Sequence, residues 1–168
     1  MVVRNFSKGK YGERVTTELL SKVGNCISNK NGDISQWKKY DLLLGLEDGN
    51  VATFEVKYDR MASWTGNIAI EYFNPKTNLP SGIECTEAKY WLIVLNKGEI
   101  WLTETSRLKA YIKENTPYKD VFGGDANSYM KIYKMQPLLS AIFTRIDQLS
   151  SEELLLLLQA EAGERSEP

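Results

Sequence analysis

Glu55 and Lys57 stand two residues apart in the run TFEVKYD, residues 53–59. On a strand they leave by one face, while Phe54 and Val56 leave by the other for an apolar interior. An acid and an amine so placed can be a solvated ion pair worth little, or half of a site. Asp41 argues for the site. It opens the preceding apolar run, KYDLLLGLE, which Asp48-Gly49-Asn50 joins to the next run as a tight hairpin. That turn brings Asp41 and Glu55 together at the hairpin's open end. Two carboxylates meeting there repel unless a cation lies between them, and an all-oxygen ligand set selects Mg²⁺ or Mn²⁺. A lysine beside them can orient water for in-line attack on a phosphodiester.

The elements that must hold these residues can be read from spacing. Residues 7–23 form an opening helix with Val15, Leu19, Leu20 and Val23 on one side and Gly24 as its stop. Glu13 lies at the edge of that stripe, so it is the helix acid expected to look toward the sheet. Residues 24–36 read as a loop, with Asn31-Gly32 as the strongest turn signal. GNIAIEYF is expected as a third strand beside the hairpin, with Ile68, Ile70 and Tyr72 on one side and Asn67, Ala69 and Glu71 on the other. TEAKYWLIVLN then reads as a helical turn entering a buried strand, GEIWLTE as another strand, and SRLKAYIKEN as an amphipathic helix. Residues 116–137 read as an irregular, substrate-facing loop. SSEELLLLLQAE closes the chain as a helix that Ser150 or Ser151 starts. Its five leucines are expected to pack on several sides or to meet a second subunit. Helix, three strands, short helix and strand make an α/β pattern in one domain over residues 1–168, with a leucine-rich, acidic carboxy-terminal segment from about residue 149.

Composition narrows the chemistry. The 168 residues contain no histidine, which excludes Ser-His-Asp triads, Cys-His dyads and His-ligated zinc. Cys26 and Cys85 lack metal-ligand spacing, and a reduced cytoplasmic protein is the simpler reading. The amino end, carrying Arg4, Lys8 and Lys10 and no apolar core, predicts no secretory signal. No apolar run is long enough to span a bilayer. Basic and acidic residues nearly balance, 21 against 22, but Glu152, Glu153, Glu161, Glu164 and Glu167 gather at the carboxy end, so the body is mildly basic.

Asp41, the E-V-K run at Glu55–Lys57 on the next strand, and Glu13 on a preceding helix together resemble the core of the PD-(D/E)XK nuclease superfamily. This superfamily includes restriction and homing endonucleases and Holliday-junction resolvases, and the likeness covers roughly residues 7–96. Tyr40 stands where the motif's name has proline. The resemblance implies a restriction endonuclease-like core, a mixed central sheet flanked by helices in αβββαβ order. It further implies Mg²⁺-dependent DNA endonuclease activity through a metal-activated water, with Mn²⁺ able to substitute. Asp41 and Glu55 would be metal ligands, the Val56 carbonyl a further one, Glu13 an accessory ligand and Lys57 the water-orienting base. DNA would be the partner, met by a homo-oligomer, since two symmetric sites cut two strands most simply. Lys8, Lys10, Arg14, Lys38, Lys39, Arg60, Trp64 and Asn67 are the expected DNA contacts, with Trp64 either stacking on a base or packing against the sheet or a second subunit. The alternative is a nuclease-like fold without catalysis that binds nucleic acid or protein.

Overall fold

The computed structural model describes residues 8–29, 39–124 and 127–163. A first sheet holds β1 (Asn25–Ser28), β2 (Leu42–Gly45), β3 (Val51–Asp59), β6 (Tyr90–Leu95), β7 (Ile100–Glu104) and β10 (Thr144–Arg145), in the spatial order β1-β2-β3-β6-β7-β10. Every pairing in it is antiparallel except that of β3 with β6, which is parallel. A second, antiparallel sheet has the order β5-β4-β9-β8, from β4 (Asn67–Asn74), β5 (Leu79–Pro80), β8 (Lys119–Gly123) and β9 (Ser128–Lys134). The chain is therefore mixed α/β with a mixed central sheet.

Of the parallel pair, β6 is buried and apolar on both faces, as a central parallel strand requires, whereas β3 is apolar on one face and carries Glu55 and Lys57 on the other. Phe54, Val56, Tyr90 and Leu92 face one core with Leu42 and Leu44. Helix α1 (Lys8–Leu20) covers this face with Leu19 and Leu20, and α5 (Ser151–Gly163) with Leu154 and Leu158. At Gly12 the helix approaches β3 so closely that a Cβ would stand 3.1 Å from that of Tyr58. Trp91 and Ile93 face a second core, built with Ile68 and Ile70 of β4, Leu108 of α3 (Thr105–Glu114) and Leu138 of α4 (Met135–Ile142).

The hairpin forms as its sequence demands. The Asp48 carboxylate accepts the Asn50 N–H at 2.9 Å, and the register that follows pairs Leu42 with Phe54 and Gly45 with Val51. A capping box starts α5: Glu153 N–H donates to the Ser150 hydroxyl, and Ser150 N–H to the Glu153 carboxylate. The leucine run is largely satisfied within the chain, since Leu154 and Leu158 are buried and Leu155 and Leu157 half-buried, while Leu156 is exposed.

Three expectations are corrected. The three-stranded meander after α1 is β1-β2-β3, because residues 25–28, expected as loop, form its first strand. GNIAIEYF is β4 and belongs to the second sheet. Residues 116–137 are not an irregular loop, since they hold the β8–β9 hairpin and the start of α4. The connection from β3 to β6 carries a single-turn helix α2 (Ala62–Thr65), the strands β4 and β5, and a 3-10 turn at Gly82–Glu84. Asn31-Gly32 and the chain after Gly163 lie outside the described residues. Among the described residues no helix is long and apolar enough to cross a membrane.

Candidate active site

β3 runs past the end of β2, whose last pairing partners are Leu42 and Phe54. Asp41 bridges the gap: its N–H donates to the Phe54 carbonyl at 2.8 Å, and its Oδ2 accepts the Val56 N–H at 2.8 Å. Asp41 and Glu55 are next in register, so they share a face, as the sequence predicts. In a strand the N–H and C=O of one residue point to the same side. The Val56 carbonyl is therefore directed toward the open side that Asp41 borders.

Glu55 is almost enclosed, its side chain 13% exposed against 36% for Lys57. The Lys57 ammonium donates to Glu55 Oε1 at 2.5 Å and lies 5.3 Å from the centroid of the Trp91 ring. Glu55 Oε2 lies 3.1 Å from the Thr86 hydroxyl, which is also 3.3 Å from the Lys39 carbonyl, so its one proton serves one of the two. Burial pushes Glu55 above the ordinary carboxylate range; Lys57 opposes this and Asp41 adds to it. For Lys57, burial favours the neutral amine, but Glu55, Asp41 and Glu71 outweigh it and hold the group above its usual value. Lys57 is an ammonium ion facing three carboxylates.

Glu71 comes from β4, on the row with Asn67 and Ala69. Its place is kept by Gly82, whose φ of +52° is open to glycine and where a Cβ would stand 2.3 Å from the Glu71 carbonyl oxygen. Asp59 joins the two sheets at this point. It accepts N–H groups from Met61 and Ala62 on one side and from Ala69 on the other. The result is a cleft of about 300 Å³ lined by Lys57, Asp59, Arg60, Glu71, Trp91 and Met130, among others. A larger recess of about 590 Å³ beside Lys22, Leu46 and Leu155 holds no comparable group of interacting charges. The smaller cleft is the one that Lys57 and Glu71 line.

The structure thus gathers Asp41, Glu55 and Lys57, and adds Thr86 and Glu71. Glu13 is half-buried on α1, the helix that covers the Val56–Tyr58 face, opposite to Glu55 and Lys57. Lys10 and Arg14 are exposed on the same helix, with Arg14 over the Tyr11 ring. The Lys39 carbonyl lies by the Thr86 hydroxyl, and the Lys39 ammonium pairs with Glu87 at 3.3 Å. Arg60 lines the cleft mouth, and Asn67 begins β4 with its amide on the Thr65 carbonyl. Trp64 is 86% exposed, so it packs against neither sheet within the chain. Lys38 and the Lys8 side chain lie outside the described residues. Thr86 carries no signal in the sequence, because only the fold brings it to Glu55 across 31 positions. Cys26 and Cys85 are free thiols.

Asp41 and Glu55, next to the Lys57 that lines this cleft, fit a divalent cation as a two-carboxylate site. Among the described residues no three acidic or thiol groups gather closely enough to hold a metal by themselves. Mg²⁺ is nevertheless commonly held by one or two carboxylates, its remaining positions filled by water and substrate phosphate. Asp41 and Glu55 offer that pair, and with Glu71 they set three carboxylates around one ammonium, a cluster with an excess of negative charge. Comparison with protein-family models, curated proteins and solved structures finds no match for the chain.

Proposed function

We propose that the chain is a metal-dependent DNA endonuclease of the PD-(D/E)XK type, hydrolysing a phosphodiester in the cleft at Lys57. The observation that carries this reading is the convergence of Asp41, Glu55 and Lys57 on one face at the open end of the β2–β3 hairpin. Asp41 and Glu55 would hold Mg²⁺ or Mn²⁺, with the Val56 carbonyl directed to the same side. The cation, when bound, supplies Lewis-acid neutralisation of the charge that develops on phosphate. Asp41 is steadied by the Val56 N–H, and Glu55 by Thr86 and Lys57. Lys57, being an ammonium, donates hydrogen bonds: it orients the attacking water or stabilises the phosphate oxygens, and does not take a proton in this state. Arg60 at the mouth offers a bidentate phosphate contact. Glu13 sits on the helix that covers the opposite face of β3, and Glu71, from within the cleft, is the acid better placed for the accessory role. Cutting a duplex calls for two such clefts, hence a homo-oligomer.

One observation favours the second reading, a binding module without catalysis. Glu55 and Asp41 already have hydrogen-bond partners within the chain, so the cluster holds together without a cation. The deciding experiment is cleavage of plasmid duplex, single strand, RNA and a four-way junction with Mg²⁺ or Mn²⁺, each against EDTA. Cutting that needs both metal and Lys57 supports the nuclease. Inertness on all four, with no metal-induced rise in melting temperature, leaves the binding module.

A further inference from the structure

On the face that walls the cleft, the second sheet carries residues that the catalytic reading does not use. Cross-strand partners share a face, so Ala69, Ile132 and Lys119 form one row across β4, β9 and β8, and Asn67 and Lys134 form the next. Ala69 lines the cleft, and strands lie about 4.8 Å apart, which sets the Lys119 backbone about 10 Å from the cleft wall. Lys119 and Lys134 are exposed, and both hang over the ring of Tyr118, at 5.4 and 3.8 Å from its centroid. Two ammonium groups are thereby held within about 9 Å of each other, inside one screening length at physiological salt. Among the described residues no carboxylate is in ion-pair distance of either. The acid of this hairpin, Asp120, projects from the opposite face and accepts the Tyr72 hydroxyl. Two cations fixed on one ring repel each other, and an anion between them relieves the repulsion. Trp64, three residues ahead of Asn67 and almost wholly exposed, adds an aromatic surface at the Lys134 end.

We propose that this face is a track for the backbone of a nucleic-acid strand whose scissile phosphate lies in the Lys57 cleft. Lys119 and Lys134 contact flanking phosphates, and Trp64 stacks on a base. The track rests on the reading of the cleft as a phosphodiester site. Anionic strand chemistry suits a face with two unpaired lysines, and Arg60 at the cleft mouth continues it.

The test is fluorescence anisotropy with a labelled single strand and its duplex, in EDTA so that nothing is cut, from about 50 to about 200 mM salt. Lys119→Ala/Lys134→Ala is expected to weaken binding about tenfold and to flatten the plot of log affinity against log salt by about one to two. Trp64→Ala should weaken single-strand binding at an unchanged slope. Lys109→Ala/Lys113→Ala, the same charge loss on exposed positions of α3, should keep the parent slope. Lys119→Arg/Lys134→Arg should restore binding, which separates charge from damage to the hairpin. Parent affinity and slope in the double alanine variant, equal losses in the α3 control, or a parent that binds neither probe would each overturn the track. A parent that cleaves, with binding unchanged by the double variant, discards the track and keeps the nuclease. A parent that binds through these lysines and cleaves nothing keeps the track and discards the nuclease.

Discussion

Lys57 reaches the cleft floor along the Trp91 ring, and its charge is balanced by carboxylates from three strand segments. An ammonium in that position is worth most when negative charge develops next to it in a water-poor site. Lys57→Ala should therefore lower metal-dependent cleavage by about 10²- to 10³-fold, the usual loss for one such donor, while the anisotropy titration stays near that of the parent. Retained parent-rate cleavage would remove Lys57 from the mechanism. Asp41 is argued on the same footing. Asp41→Asn keeps an oxygen that can accept the Val56 N–H but removes a charge, so it should fold and yet lose the response to Mg²⁺. In the parent, saturating Mg²⁺ about a hundredfold above its dissociation constant should add about 2.7 kcal/mol of stability, seen as a higher melting temperature. Equal rises in parent and variant would place the metal elsewhere.

At the scale of elements, short-range chemistry made the hairpin readable: an Asp-Gly-Asn turn between two alternating runs leaves one register. The same logic exposed Asp41, Glu55, Lys57 and the capping box. β1 escaped because Asn25–Ser28 never becomes fully buried and so has no clear apolar alternation. β8 and β9 escaped because Lys119 on one face and Asp120 and Lys131 on the other leave neither face an apolar alternation. Pro137 made α4 look like loop, although proline is tolerated in a first helical turn, where its missing N–H would have no partner. Of the readings open for Trp64, packing against the sheet fails because α2 is a single turn that leaves the side chain exposed. The far edge of the first sheet supplies a test of acid stability. Asp147 accepts the Ile100 N–H at 2.9 Å and is paired with Arg145. Burial works to raise its pKa, but these partners prevail and hold it below the usual 3.8. A carboxylate so depressed stabilises the fold above its unfolded value and loses that contribution as pH falls through the folded one. Asp147→Asn should thus lower the melting temperature at neutral pH, and the gap from the parent should close as pH falls below about 4. A gap constant with pH would mean that the charge contributes nothing.

Across the whole molecule, Asp41, Glu55 and Lys57 come from one early hairpin, whereas Glu71 and the cleft walls come from two separate excursions of the chain. β4 is inserted between β3 and β6, and its partner β9 follows α3, so Ile68 meets Tyr133 across a long loop. Closing long loops is the slow part of folding. The consequence concerns the order in which the protein acquires its parts. A nascent chain has Asp41, Glu55 and Lys57 in register well before β9 exists to build the wall and the lysine pair above it. Pulse-labelled hydrogen exchange during refolding should find amides of β2 and β3 protected ahead of those shared by β4 and β9; simultaneous protection would refute this order. A chain assembled in this sequence holds its acid–lysine cluster before its second sheet completes the cleft around it.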